Sequence, residues 1–197
     1  MWNGLGLSRL PGCNYRRGMR LLLLTIETRP VIGGVAVAID GWATGLAELG
    51  HEVCVLGLVN ESFRTNVTGL PPRPHSEKWI FSPDRSDVWV DRILPIRKFR
   101  SALYLAQRNR FLTRQVAAMV QGFKPDRVIF CFINTLCCVA LDSIQTMGIP
   151  CGAIAYAAEL APERVTNPRW LRKTLQKFEK IVAISSYTKS LLCNLGE

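Results

Sequence analysis

The sequence lacks an apolar run long enough to cross a bilayer. A spanning helix needs about 20 consecutive apolar residues, and the longest candidate, Leu21 to Ile26, has only the length of a strand. Residues 1–18 carry arginines around a Pro-Gly pair and no apolar signal-peptide core. We therefore expect a cytoplasmic protein without a membrane span, in which residues 1–18 are a leader or a disordered extension.

Metal-binding, redox and nucleotide-binding motifs are missing as well. The seven cysteines contain no CxxC pair, and the two histidines do not lie at the sequence spacing of zinc ligands. We expect reduced thiols and no metal site. The absence of GxGxxG and of a Walker A sequence disfavours nicotinamide dehydrogenases and P-loop NTPases.

The net charge of +10 requires an anionic partner or surface. Nucleic acid, anionic lipid and the phosphates of a sugar nucleotide would each satisfy it. The basic residues are dispersed, and we find no recognition helix or aromatic stacking motif, so we do not expect nucleic-acid binding.

Strand-like and helix-like patterns alternate along the chain. Buried strands are predicted at residues 20–26, 52–59, 88–96, 127–133, 150–156 and 180–184, and helices at 35–49, 99–123, 136–147, 168–178 and 186–195. This alternation predicts an α/β fold, a doubly wound mostly parallel sheet with helices on both faces. A length of 197 residues fits one domain, over residues 19–197. The proline-rich segment 60–85, which contains His75, is predicted to be a long loop.

Gly33 and Gly34 lie directly before the first predicted helix. The N-terminus of a helix offers unpaired backbone N–H groups to a phosphate, and glycine lets a ligand approach closely or allows a positive φ. A plain strand-to-helix turn would explain the same two residues, and the sequence chemistry leaves both interpretations open. His51, after Gly50, is interpreted as a helix-end residue.

The helix predicted at residues 99–123 has a basic face. Arg100, Arg110 and Arg114 are expected to point away from its apolar side. A solvated outer face explains this pattern, and so does contact with an anionic membrane.

From Met19 to Gly196 the order of segments resembles family 4 glycosyltransferases. The opening MRLLLLTIETRPVIGGVAVAIDGWATGLAELGHEVCVLGLV has a hydrophobic strand, a loop ending in Gly-Gly, a helix, then Gly-His-Glu-Val and a second strand. Similar later segments are DVWVDRILPI, KPDRVIFCF, GIPCGAIAY and KIVAISSYTKSLLCNLG.

The resemblance implies the N-terminal, acceptor-side Rossmann-like half of a GT-B enzyme. Such an enzyme transfers a sugar from a nucleotide-diphosphate sugar to a glycan or lipid-linked acceptor, with retention and without a metal or other cofactor. Gly33 and Gly34 would contact the donor phosphate or acceptor. Tyr156 and Glu159 stand where the family often has an acceptor-site histidine, and they are the candidates for the acceptor cleft.

The resemblance also implies a C-terminal Rossmann domain, in cis or in trans, that grips the donor and without which this chain is inactive. Peripheral contact with the inner membrane face would suit a lipid-linked acceptor. The alternative is a non-catalytic α/β binding module or subunit that recognises an anionic ligand or a partner protein.

Overall fold

The computed structural model describes residues 18–28, 33–60, 72–82, 95–162, 165 and 167–196. Six parallel strands form one sheet in the order β3-β2-β1-β4-β5-β6. The strands are β1 (Arg20–Thr25), β2 (Glu52–Asn60), β3 (Ser76–Ser82), β4 (Arg127–Phe130), β5 (Cys151–Ala155) and β6 (Lys180–Ala183). The predicted α/β fold with a parallel sheet is confirmed.

Six α-helices and one short 3₁₀ helix are described in this part of the chain. They are α1 (Gly34–Glu48), α2 (Pro95–Phe123), the 3₁₀ helix (Cys137–Ala140), α3 (Leu141–Thr146), α4 (Ala157–Leu160), α5 (Pro168–Leu175) and α6 (Ser186–Gly196). The predicted helix at residues 136–147 is therefore a 3₁₀ turn followed by α3. The four-residue α4 was not predicted.

Two apolar clusters cover the two faces of the sheet. Leu22 and Leu24 of β1 pack with Leu112 and Val116 of α2, while Leu21 and Leu23 pack on the other face with Ile39 of α1. Because successive strand side chains alternate between faces, the covered part of a strand between two helical layers is apolar at successive positions. Leu21 to Leu24 form such a run, flanked by Arg20 and Thr25.

Gly50 ends the first helix with a left-handed backbone. Its φ is +88°, a conformation that glycine adopts without the steric cost of a Cβ atom. The next residue, His51, donates its backbone N–H to the carbonyl of Leu46, and its Nδ1 accepts the N–H of Met19 at 3.1 Å. The predicted helix-end position of His51 is confirmed.

The third strand of the sheet lies in a different segment from the predicted one. Residues 60–85 were expected to be a loop, yet Ser76–Ser82 pairs with β2 over its whole length. The strand expected at residues 88–96 is wrong at Pro95 and Ile96, which begin α2, and residues 88–94 lie outside the described residues. Proline suits the first turn of a helix, where its missing N–H costs nothing.

The strand predicted at residues 127–133 ends at Phe130, the helix predicted at 168–178 ends at Leu175, and the helix predicted at 99–123 begins at Pro95. The boundaries of the other predicted strands and helices differ by one residue from those of the structure, apart from the 136–147 helix and the 88–96 strand described above. The predicted leader at residues 1–18 lies outside the described residues, apart from Gly18. None of the described helices combines the length and apolarity needed to cross a bilayer.

Candidate functional site

The strand order reverses direction between β1 and β4. The chain places β2 and β3 on one side of β1 and β4 to β6 on the other. At such a switch point the loops that follow the two central strands diverge and open a crevice at the carboxyl edge of the sheet. The loops after β1 and β4 therefore border the expected ligand site, and the loop after β1 leads to Gly33 and Gly34.

Gly33 and Gly34 form the N-terminus of α1 at this edge. Gly33 is the N-cap residue in an extended conformation (φ −162°, ψ 161°), and it has no side chain with which to cap the helix. The first turn carries no acidic residue, but the Glu27 carboxylate lies 3.4 Å from the Cβ position of Gly33, beside the positive end of the helix dipole. The first N–H groups of a helix have no partner within the helix, and such groups bind phosphate at helix N-termini.

The fold itself does not require glycine at either position. Among the described residues, a Cβ atom on Gly34 would meet nothing within 4 Å, and one on Gly33 would meet the Glu27 carboxylate at 3.4 Å. Neither residue has the positive φ that the sequence allowed, since positive φ among the described glycines occurs at Gly50 and Gly148. No described neighbour therefore fills the Cβ position of Gly34.

Glu27 is a site residue that the sequence analysis missed. It follows β1, and its backbone N–H donates to Thr25 Oγ1 at 3.0 Å, which fixes the start of the loop. Its carboxylate lies beside Gly33. The available signal was position alone, because Glu27 is the first charged residue after a buried central strand.

Glu159 is held by two backbone groups from different loops. One carboxylate oxygen accepts the N–H of Tyr156 at 2.9 Å, and the other accepts the N–H of Ile133 at 2.7 Å. Burial raises the pKa of Glu159 to about 7, while these two hydrogen bonds act in the opposite direction. A carboxyl group that titrates near neutrality beside a cavity is a candidate for binding or proton transfer.

A cavity of about 220 Å³ opens beside Glu159. It lies where the carboxyl ends of β4 and β5 meet the start of α5. Its polar wall is formed by Asn134, Thr135, Glu159 and Asn167, and Phe132 and Trp170 contribute aromatic surface. Aromatic and hydrogen-bonding side chains in one small cavity suit a sugar ring or another polyhydroxylated group.

Tyr156 does not line this cavity in the structure. Its ring packs on the α1 face of the sheet between Trp42 and Phe132, with centroid distances of 6.4 and 5.7 Å. Burial raises the pKa of its hydroxyl, and that hydroxyl has no hydrogen-bond partner among the described residues. The contact of Tyr156 with Glu159 is made by the backbone N–H of Tyr156, which donates to the Glu159 carboxylate.

Two of the three predicted basic residues, Arg110 and Arg114, lie on the side of α2 away from the sheet. Arg110 and Arg114 are exposed, whereas Leu112 and Val116 are fully buried. Phe111 is 40% exposed on the same helix. Arg100 belongs to α2, and its side chain lies outside the described part of the structure.

A larger apolar groove of about 710 Å³ lies on the α1 face of the sheet. It runs from the last turns of α1 over β4, β5 and β6, and its lining includes Leu49, Arg127, Ile154 and Val182. Gly33, Gly34 and Glu159 are not among its lining residues, so the groove is distinct from the crevice at the carboxyl edge, where ligands of open α/β sheets bind.

Comparison with known proteins identifies the family. A model of Glycosyltransferase Family 4 matches residues 32–197, and no curated protein sequence matches the chain significantly. The structure of UDP-N-acetylglucosamine 2-epimerase from Rickettsia bellii is similar, with a TM-score of 0.53, 12% identity and coverage of 90% of this chain and 42% of that one.

A second solved structure gives the same result. UGT89C1 of Arabidopsis thaliana aligns with a TM-score of 0.54 and 10% identity, over 90% of this chain and 46% of that one. At these identities the similarity concerns the fold, and the chain spans less than half the length of either protein. Because the family model covers most of the sequence and the sheet has the matching topology, the chain belongs to glycosyltransferase family 4.

Proposed function

We propose that this chain is the acceptor-side domain of a retaining glycosyltransferase that uses a nucleotide-diphosphate sugar. A second Rossmann-like domain, in cis or in trans, would hold most of the donor. The observation that supports this proposal best is the N-terminus of α1 at the carboxyl edge of the sheet, where no described neighbour fills the Cβ position of Gly34.

The backbone N–H groups of this helix start would stabilise charge during transfer. As the bond between the sugar and the diphosphate breaks, negative charge grows on the leaving diphosphate. Preorganised N–H groups aimed at that charge lower the barrier, because they need no reorganisation when the charge appears. A side chain at Gly34 would keep the diphosphate away from these groups.

The cavity beside Glu159 would receive the acceptor. Each carboxylate oxygen of Glu159 accepts one backbone N–H and retains further acceptor capacity for a sugar hydroxyl. Asn134 Oδ1 accepts the N–H groups of Leu136 and Cys137, which leaves its NH₂ group as a donor. The acceptor would thus meet both donors and acceptors of hydrogen bonds.

The outer face of α2 would suit a lipid-linked acceptor. Arg110, Arg114 and the partly exposed Phe111 combine positive charge with an aromatic side chain. This combination favours the interface of an anionic membrane. We therefore propose peripheral contact between α2 and the cytoplasmic membrane face.

A transfer assay tests the proposed division of labour. The chain is assayed alone and fused to the C-terminal domain of a family 4 enzyme, with UDP-N-acetylglucosamine as one of several nucleotide sugars. Transfer should require the fusion. Transfer by the chain alone would contradict the division, and binding of a glycan acceptor without transfer by any fusion would favour the non-catalytic binding module.

A further inference from the structure

His75 is a buried histidine that faces two carboxylates. Its side chain is fully buried immediately before the edge strand β3. Its Nε2 lies 3.7 Å from Asp40 Oδ1, on α1, and 3.6 Å from Glu77 Oε1, on β3. Asp40 and Glu77 are also largely buried, with side-chain exposures of 23% and 11%.

The three side chains approach one another without completing hydrogen bonds to His75. Both ring nitrogens of His75 and the Oδ1 atom of Asp40 are buried and have no hydrogen-bond partner among the described residues. A buried polar group without a partner destabilises the folded state. Of these atoms, His75 Nε2 and Asp40 Oδ1 lie 3.7 Å apart, which indicates that a further group belongs between them.

The spacing fits a cation better than a direct contact. Ligands about 2.0–2.1 Å from a tetrahedral zinc ion lie roughly 3.4 Å from one another. The two measured separations, 3.6 and 3.7 Å, are close to that edge length. All three ligand atoms lie within 4.8 Å of one another, so small side-chain movements would complete three corners of a tetrahedron.

Charge and orientation agree with a divalent ion. Arg73 contacts the other carboxylate oxygen of Asp40, Oδ2, at 3.1 Å. This contact orients the carboxylate and leaves Oδ1 directed towards His75, as an outer partner of a metal ligand does. An imidazole nitrogen with two carboxylate oxygens is a donor set that suits zinc and similar divalent transition ions.

We propose that Asp40, His75 and Glu77 form a binding site for a divalent transition cation, with zinc as the fitting ion. The site is separate from the proposed sugar-transfer site, because Asp40 lies six residues along α1 from Gly34 and the helix rises about 1.5 Å per residue. The ion would join α1 to the edge strand. It would thereby fix the helix whose N-terminus borders the crevice.

Metal titration of the chelator-treated chain tests the proposal. Zinc should bind in a one-to-one ratio and raise the melting temperature as its concentration increases. Cobalt, as a spectroscopic probe, should give the weak visible bands of nitrogen and oxygen ligands without a thiolate charge-transfer band. Anomalous scattering from a zinc-soaked crystal should place the ion between His75 and Asp40.

The variants separate this site from adventitious binding. His75→Gln and Asp40→Asn should each lower zinc affinity by at least about 100-fold, the upper range for loss of an outer partner. His51→Gln and Cys193→Ser should retain it, and circular dichroism checks that each variant folds. Absence of zinc binding by the wild-type chain, a thiolate band with cobalt, or undiminished affinity in folded His75→Gln would overturn the proposal.

Discussion

The carboxylate of Glu159 accepts the backbone N–H of Ile133 at 2.7 Å and thereby joins the loops that follow β4 and β5. The same carboxylate accepts the N–H of Tyr156 at the start of α4. One side chain thus fixes the two loops that border the proposed acceptor cavity. Its protonation should affect both stability and binding.

Stability should fall as pH rises through the titration of Glu159. The folded pKa is about 7, above the ordinary value of 4.5, so the folded state binds more protons between these pH values. Protonation of Glu159 contributes on the order of 3 kcal/mol to the free energy of unfolding. This contribution is fully present below about pH 4.5 and is lost above about pH 7.

Urea unfolding at pH 5 and pH 8 measures this effect. Glu159→Gln cannot ionise, and its NH₂ group must face one of the two backbone N–H donors, so the variant should be less stable than wild type at pH 5. The difference in free energy of unfolding between wild type and Glu159→Gln should then decrease towards pH 8. Glu48→Gln, at an exposed position on α1, is the control, and equal pH slopes in wild type and Glu159→Gln would refute the prediction.

The core of the sheet should depend strongly on Phe130. Its side chain is fully buried and its ring lies 5.4 Å from that of Phe178. Phe130→Ala should lower the free energy of unfolding by about 3–5 kcal/mol. Val182→Ala, at a position 58% exposed on β6, should change it by less than about 0.5 kcal/mol. Similar costs for the two variants would contradict the described packing.

The buried cysteines should be chemically inert in the folded protein. Burial raises the pKa of Cys137 and of Cys131, and thiols react as thiolates. Cys193 is exposed. Iodoacetamide followed by peptide mass spectrometry should show modification of Cys193 before Cys131 or Cys137, and denaturant should equalise the three. Early labelling of Cys137 under native conditions would contradict its burial in the folded protein.

The α2 arginines should control binding to anionic vesicles. Replacing Arg100, Arg110 and Arg114 with Gln removes three positive charges and should abolish binding in a sedimentation assay, because the attraction is largely electrostatic. A control matched in charge replaces Arg169, Arg172 and Lys173 on α5 with Gln. Unchanged binding of the α2 variant would reject the proposed membrane contact.

The sequence predicted those elements whose signals are local. Residues 21–24 are apolar without interruption because β1 lies between two helical layers, and Gly50 marks the end of α1 through its positive φ. The edge strand Ser76–Ser82 was missed because only part of it is buried and prolines precede it. The hydrophobic residues before Pro95 looked more like a strand, although a proline there also indicates the start of a helix.

The position of the candidate site could be predicted from the sequence, but the side-chain contacts within it could not. Gly33 and Gly34 could be placed at the start of α1 from the sequence order. The contact between Glu159 and Ile133 joins residues 26 positions apart, and no local pattern indicates it. The same is true of Asp40 and His75, which are distant in the sequence and approach each other only in the folded chain.

The central claim is that the N-terminus of α1 binds the diphosphate of a sugar nucleotide, and amide chemical shifts measured by nuclear magnetic resonance test it most directly. Titration with UDP-N-acetylglucosamine should shift the N–H signals of Gly34 and Val35 in a saturable way. Gly34→Leu should abolish the effect while remaining folded, and Gly41→Leu, equally free of steric contact in mid-helix, should retain it. Unchanged signals at Gly34 and Val35 at saturating ligand, or an undiminished response in Gly34→Leu, would contradict the account.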